Sequence, residues 1–135
     1  MAAELFVDTG AWYAAVDWSV PGSDRIRRVL RERVRGAVRA VTTNLVVAET
    51  HALLLRRANR AVALAYVQQV GRTPNVVVSS TPALEAAAVR DWLNAFDDQD
   101  FSFTDAVSFA VMKERGIRES LTLDRHFATA GFVLA

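Results

Sequence analysis

The chain contains no cysteine and only two histidines, His51 and His126. The absence of cysteine excludes disulfide bonds and zinc sites that are built on thiolates. Two histidines are also a poor supply for a metal site whose ligands are mainly imidazole groups. Any metal site is therefore expected to use carboxylate oxygens, and a chain without disulfides is compatible with the reducing cytoplasm.

Long hydrophobic runs are missing as well. Although 52% of the 135 residues are hydrophobic, no segment reaches the roughly 18 uninterrupted apolar residues of a membrane-spanning helix. The first seven residues do not place a basic run before an apolar stretch, as a secretory signal would. We therefore expect residues 1–135 to form one compact domain with a sizeable core, located in the cytoplasm and without membrane contact.

Lysine is almost absent, because Lys113 is the only one, and the positive charge is therefore carried by arginine. Up to Arg72, eleven arginines face six acidic residues, a net charge of +5, whereas beyond it five basic residues face nine acidic ones, a net charge of −4. Guanidinium groups make bidentate contacts with phosphate, which favours a phosphodiester substrate. The alternative is that the seven arginines between positions 25 and 39 only solvate a surface helix.

Short apolar runs alternate with longer segments of helical character. Strands are predicted at residues 4–7, 38–42, 76–79, 120–123 and 132–134, with helices at about 24–34, 60–70, 82–96 and 104–116 and a further helix beginning at Thr43 or Asn44. Continuous apolar strands that alternate with helices are typical of parallel sheets buried on both faces. The sequence thus predicts an α/β fold of three layers with a mostly parallel central sheet, and ligands beyond the carboxyl ends of its strands.

Four carboxylates occupy positions where a solvated charge is not expected. Asp8 directly follows the first predicted strand and Asp124 the fourth. Glu49 is predicted to share a helix face with apolar residues such as Leu45. Asp105 follows Thr104, which is the expected N-cap of its helix. Buried carboxylates that lie close together repel one another unless a cation sits among them, and oxygen ligands suit Mg²⁺ or Mn²⁺.

Each carboxylate also has a simpler interpretation. Asp8 could cap the helix that follows it. Glu49 could form an ion pair with a neighbouring arginine of its helix, such as Arg56. Asp105 is a favourable acid for the first turn of a helix, and Asp124 suits a turn. The residues alone leave these alternatives open.

Together, four segments resemble the PIN-domain ribonucleases, specifically the VapC-type toxins. They are residues 7–12 (VDTGAW), 46–49 (VVAE), 103–106 (FTDA) and 121–127 (LTLDRHF), the last followed by Gly131 and Phe132. The resemblance runs nearly from end to end. It implies a PIN-like α/β/α fold and cleavage of RNA that depends on Mg²⁺ or Mn²⁺. It further implies a homodimer and a cognate antitoxin of a type II toxin–antitoxin pair.

The resemblance also assigns roles to particular residues. The catalytic and metal-binding set is expected to be Asp8, Glu49, Asp105 and Asp124. Thr104 and Thr9 are supporting candidates that could donate a hydrogen bond to a carboxylate or a phosphate. Arg56, Arg57 and Arg125 are candidates for substrate binding. Other candidates come from the residues and not from the resemblance. Asp98 and Asp100 could extend the acidic site, although an acidic solvated loop is the simpler interpretation. His51 and His126 are candidate bases, for which a structural role is simpler and which the family does not require.

Two other function classes stay open. The first is a catalytically inactive PIN-like module that binds RNA or protein, against which the presence of all four acids argues. The second is a phosphotransfer or phosphatase domain with Asp8 as nucleophile. A phosphate-binding loop that ends in Gly-Lys is absent, which excludes nucleotide hydrolysis of the P-loop type.

Overall fold

The computed structural model describes residues 3–135, and within them five strands form one parallel sheet. The strands are β1 (Glu4–Val7), β2 (Arg39–Thr43), β3 (Val76–Val78), β4 (Glu119–Leu121) and β5 (Val133–Leu134). Their order across the sheet is β3-β2-β1-β4-β5, and all four neighbouring pairs are parallel. The chain thus builds the sheet outwards from β1, first to one side and then to the other.

Helices connect the strands and cover both faces of the sheet. They are α1 (Thr9–Val16), α2 (Ser23–Arg35), α3 (Asn44–Arg57), α4 (Arg60–Val70), α5 (Pro82–Ala88), α6 (Phe103–Arg115) and α7 (His126–Thr129). A π-helical turn, Val89–Asn94, continues α5. In the described part of the chain, no helix is both long enough and apolar enough to cross a membrane.

Alternating side chains of β1 separate the two helical layers. Leu5 and Val7 pack on one side of the sheet in a cluster with Ala11 of α1 and Ile26 of α2. Phe6 points to the other side, where α6 contributes more buried residues than any other element. Because the strands are covered on both faces, they read in the sequence as short continuous apolar runs. The predicted three-layer α/β/α architecture with a parallel sheet is confirmed.

The boundaries of several elements differ from the prediction. The fourth strand ends at Leu121, not at residue 123, since Thr122 enters a turn and Leu123 is exposed. Helix α6 begins at Phe103, and its N-cap is Ser102, so the prediction of Thr104 as the cap is wrong. Helix α7 lies between the last two predicted strands, where no element was predicted. Helix α1 was considered only as a helix that Asp8 could cap.

An aromatic cluster centred on Phe109 of α6 holds the second helical layer to the sheet. The Phe109 ring lies 4.9 Å from Phe127 and 5.1 Å from Phe101, both in edge-to-face contact, and 5.9 Å from Trp92. It also stacks on Phe132 at 5.7 Å. Because Phe109 belongs to α6 and Phe127 to α7, the contact between their rings fixes the two helices relative to each other.

We expect Phe109→Ala to lower the free energy of unfolding by about 3–5 kcal/mol, because it removes a fully buried ring and leaves a cavity. The measurement is urea denaturation followed by circular dichroism. Phe103→Ala is the matched control on the same helix, since Phe103 is 43% exposed and its loss should cost within about 0.5 kcal/mol. Equal losses from both substitutions would contradict the assignment of Phe109 to the core.

Candidate active site at the carboxyl end of the sheet

Asp8 lies where the sheet changes its direction of growth. It follows β1, which has β2 on one side and β4 on the other, and its backbone N–H donates to the carbonyl of Leu121 at the end of β4 at 3.1 Å. In open parallel sheets, such a switch point opens a crevice at the carboxyl ends of the strands. Asp8 occupies the N-cap position of α1, but its side chain makes no capping hydrogen bond. The simple helix-cap interpretation therefore does not describe its side chain.

Asp8 is only 6% exposed, and its surroundings disfavour the charged form of its carboxyl group. Burial raises its pKa from 3.8 to about 7, and the neighbouring carboxylates of Asp105 and Asp124 push the pKa in the same direction. The backbone N–H of Thr9 opposes this shift, and so, to a smaller extent, does the hydroxyl of Thr122, which donates to Asp8 Oδ2 at 3.0 Å. Without a cation, this carboxyl group therefore holds its proton up to about neutral pH.

Asp105 is buried in the first turn of α6, where it forms a capping box with Ser102. Its backbone N–H donates to Ser102 Oγ at 3.0 Å, and its Oδ2 accepts from the Ser102 N–H at 3.3 Å. Asp105 thus serves the helix, as the simpler interpretation holds, and also faces the crevice. The capping box fixes the direction in which the carboxylate points.

Asp124 is held by a tight turn three residues beyond β4. Its backbone N–H donates to Thr122 Oγ1 at 2.9 Å, and its Oδ1 accepts from the His126 N–H at 2.9 Å. The other oxygen, Oδ2, lies 3.3 Å from His126 Nδ1, which is also 3.2 Å from Asp105 Oδ2. Asp105, Asp124 and His126 thereby place one ligand atom each within 4.8 Å of one another.

Glu49 reaches the same crevice from α3, but not in the way the sequence indicated. It is exposed, and Ala52, which was expected on the same apolar face, is exposed too. The expectation of a carboxylate on a buried helix face is therefore wrong for Glu49. Within residues 3–135 it forms no ion pair with Arg56 or any other residue. It remains at the site because α3 starts at the carboxyl end of β2 and runs along the opening.

A cavity of about 680 Å³ brings these groups together. Its polar lining consists of the four predicted acids with Thr9, Asp100, Ser102, Arg125 and His126. Asp98, Thr104, Arg56 and Arg57 are not among the lining residues. Thr104 is half-buried, and Arg57 lies over the ring of Tyr13 in a separate depression. The sequence-predicted set is thus only partly assembled at this place.

The donor set fits a hard divalent cation. Among the described residues, no arginine or lysine forms an ion pair with any of the four acids. Glu4, at the amino end of β1, by contrast pairs with two arginines. The hydroxyl oxygen of Thr9 is buried beside the cavity without a hydrogen-bond partner in the described structure. Carboxylate, hydroxyl and water oxygens are the ligands that Mg²⁺ and Mn²⁺ accept. Asp8, Asp105 and Asp124, with Glu49 at the rim, are the residues that would hold the ion.

Comparison with known proteins identifies the family. The PIN domain family matches residues 5–133. Two proteins described as 23S rRNA-specific endonuclease VapC20, from the Mycobacterium tuberculosis strains CDC 1551 / Oshkosh and ATCC 25618 / H37Rv, are each 36% identical over 129 residues, which cover 96% of this chain and 95% of the relative. The crystal structure of M. tuberculosis VapC20, described as a sarcin-ricin loop cleaving toxin, matches with a TM-score of 0.87 and 33% identity over 96% of both chains.

The chain belongs to the PIN-domain family. Within that family it is similar to VapC-type toxins, so the resemblance inferred from its motifs is confirmed.

His126 is the residue at the site that sequence reasoning undervalued. It was considered as a base with a structural role as the simpler alternative, yet its ring nitrogen lies between two of the predicted acids. The only signal in the sequence was its position two residues after Asp124. That spacing brings the two side chains together only because a turn, rather than an extended strand, follows Thr122.

We expect Asp8→Asn to stabilise the metal-free protein at pH 8. The native state holds the Asp8 proton up to about pH 7, whereas the unfolded state releases it near the ordinary value of 3.8. The wild-type protein therefore loses stability as the pH rises between these values, by at most about 4 kcal/mol. Asparagine avoids this loss and retains an oxygen that can accept from Thr122.

The measurement is urea unfolding with a chelator at pH 8 and pH 5. The gain in the free energy of unfolding should shrink at pH 5, where the native wild-type carboxyl group is protonated. Asp98→Asn is the control, since Asp98 is an exposed acid outside the cavity. Destabilisation by Asp8→Asn at pH 8 would contradict the electrostatic description of the site.

Proposed function

We propose that this protein is a metal-dependent endoribonuclease that acts as the toxin of a type II toxin–antitoxin pair. The observation that carries the proposal is the convergence of four acids from distant parts of the sequence, Asp8, Glu49, Asp105 and Asp124, on one cavity of a PIN-domain fold. The similarity to the VapC20 endonuclease over almost the whole chain supports the same activity class. The cofactor in this proposal is Mg²⁺ or Mn²⁺.

The chain's own residues prepare the site for phosphodiester hydrolysis. Asp8 must give up its proton when the cation is bound, and the Thr122 hydroxyl then stabilises the carboxylate. Asp105 is oriented by its capping box and Asp124 by its turn, so neither carboxylate needs to reorganise. When bound, the divalent ion supplies a more acidic water as nucleophile and stabilises charge on the phosphate.

Other residues are proposed to position the RNA. Arg125 is exposed at the edge of the cavity, where its guanidinium group can contact a phosphate next to the scissile bond. Arg56 lies seven residues after Glu49 on the same face of α3, about 10 Å further along the helix. The unpartnered Thr9 hydroxyl can donate to a phosphate or a carboxylate. Arg57 and Thr104 lie away from the cavity lining, which leaves them without a contact that would support their predicted roles.

A cognate antitoxin and a second copy of the chain are the proposed partners, and the cytoplasm is the proposed location. The resemblance to VapC-type toxins supports both partners. On α3 and α4, Leu54 and Tyr66 are buried, but Leu55 and Leu64 are 48% and 45% exposed. Apolar side chains exposed on adjacent helices are available for such contacts.

Purified protein is expected to cut RNA in the presence of Mg²⁺ or Mn²⁺ and to stop when a chelator is added. Asp8→Asn and Asp105→Asn should each lower the cleavage rate at least about 100-fold, because each removes a proposed metal ligand. Asparagine at position 105 can still accept from Ser102, so the helix cap is preserved. Asp98→Asn, which changes an exposed acid outside the cavity, should cut at the wild-type rate.

Full cleavage by both variants at saturating metal would refute the metal-site assignment. A folded wild-type protein that cuts no RNA with either metal would instead favour the inactive binding module. Thermal unfolding of each variant checks that a loss of activity is not a loss of fold.

We further propose that the substrate is a structured loop of large-subunit ribosomal RNA, because the relatives are described as 23S rRNA-specific and as cleaving the sarcin–ricin loop. Primer extension on ribosomes treated with the protein should then reveal one dominant new end within that loop. Asp8→Asn protein should produce no such end. Cuts confined to transfer or messenger RNA would overturn the substrate proposal and leave the nuclease proposal intact.

A further inference from the structure

We propose that His126 Nδ1 is itself a ligand of the bound cation, together with Asp105 and Asp124, so that the site selects Mn²⁺ over Mg²⁺. This inference rests on the proposed metal-dependent function and adds a nitrogen donor to a site expected to be purely acidic. It assigns a direct contact with the ion to a residue that the sequence marked only as a candidate base.

The distances between the donor atoms have the size expected around one ion. His126 Nδ1 lies 3.2 Å from Asp105 Oδ2 and 3.3 Å from Asp124 Oδ2. One ligand atom from each of the three residues lies within 4.8 Å of the other two. Ligands about 2.1 Å from an ion are separated by about 3.0 Å at a right angle and by about 3.4 Å at a tetrahedral angle. The two distances from Nδ1 fall between these values.

The same distances are less suited to hydrogen bonds alone. A protonated imidazole has a single hydrogen on Nδ1, which would have to be shared between two carboxylates. Charge-assisted bonds from nitrogen to carboxylate are usually about 2.7–2.9 Å long. Both contacts of His126 are longer than this, at 3.2 and 3.3 Å. One Nδ1 hydrogen can bond Asp105 at 3.2 Å, so a hydrogen bond accounts for one of the two contacts and leaves Asp124 Oδ2 facing Nδ1 without a hydrogen of its own.

The imidazole ring is held in place by its surroundings. The His126 backbone N–H donates to Asp124 Oδ1, which leaves Asp124 Oδ2 facing Nδ1. The ring also packs edge-to-face against Phe101, with 5.3 Å between the ring centroids. Phe101 belongs to the aromatic cluster around Phe109, so the core supports the orientation of the imidazole. A fixed donor of this kind is what a metal site requires.

A nitrogen donor changes which ion is preferred. Mg²⁺ favours oxygen ligands and keeps much of its hydration shell, whereas imidazole suits first-row transition metals. Mn²⁺ accepts both carboxylate and imidazole, so His126 should strengthen its binding more than that of Mg²⁺. Without this histidine, the oxygen donors around Asp8 and Asp105 would discriminate little between the two ions.

The test is electron spin-echo envelope modulation of Mn²⁺ bound to tag-free protein, which detects nitrogen nuclei coordinated to the ion. The chain has only two histidines, so His51 in α3 provides a matched control. We expect a ¹⁴N signal in the wild type and in His51→Asn, and its loss in His126→Asn. Wild-type protein labelled with ¹⁵N-histidine should show the ¹⁵N frequencies instead, which tests the inference without altering the site.

Affinity measurements complete the experiment. His126→Asn replaces the ring nitrogen by an amide oxygen at a similar distance from the backbone. Because the nitrogen donor is lost and an oxygen donor is kept, the substitution should weaken Mn²⁺ binding at least about tenfold and Mg²⁺ binding less. Mn²⁺ bound without nitrogen coupling would overturn the inference, while the chelator-sensitive RNA cleavage would still support the proposed function. An unchanged ratio of the two affinities in His126→Asn would also overturn it. Failure of the wild-type protein to bind Mn²⁺ at all would overturn the inference, whereas RNA cleavage with Mg²⁺ would still support the proposed function.

Discussion

The burial of the Asp8 carboxyl group between two other acids is the constraint on which the site depends. Elsewhere in the described structure, the partly buried acids Glu4, Asp91 and Glu119 form ion pairs with arginine. At the amino end of β1, Glu4 accepts hydrogen bonds from Arg39 and Arg115. The hydrogen bond from Arg115 holds the pKa of Glu4 below its usual range. At the carboxyl end of β1 the pKa of Asp8 is raised instead, because burial has the largest effect and its charged neighbours are acids. The same fold thus compensates the charge of Glu4 at the amino end of β1. At the carboxyl end of β1 it leaves a deficit of positive charge, which a bound cation would offset.

The parallel sheet makes this deficit possible. Because β1 lies between β2 and β4, its carboxyl end is surrounded by the starts of several connections, and acids from distant sequence positions converge there. The aromatic cluster around Phe109 then fixes α6 against α7, which sets the separation of Asp105 from Asp124. Local turns aim the carboxylates, through Ser102 for Asp105 and Thr122 for Asp124. Folding therefore supplies the free energy that holds these like charges together before any ion binds.

The sequence predicted those features that follow from periodicity and missed those that follow from single hydrogen bonds. Apolar runs at regular spacing identified the strands, and the motif around Asp8 placed it at the correct edge. Thr104 was predicted as the cap of α6, yet Ser102 fills that position because its hydroxyl reaches the Asp105 N–H. Glu49 was expected on a buried face because Leu45 lies one turn away, but burial depends on which neighbours cover the helix, and α3 turns this side toward the opening. His126 was undervalued because the turn that brings it to Asp105 has no periodic signature.

Different parts of the cavity would serve the cleavage reaction and the choice of the target RNA. Asp8 and Asp105 are buried and fixed by the core, so their arrangement is shared by any sequence that packs this fold in the same way. In the proposed reaction, carboxylates and a metal ion act on the phosphodiester group, which is the same at every position of an RNA chain. Under the proposed function, discrimination between RNA loops would then come from exposed groups around the opening. Among residues 3–135, the arginine that lines the opening is Arg125. Identity of 36% to a protein described as specific for 23S rRNA therefore supports the chemistry through the core, and the target only so far as the exposed rim is also alike.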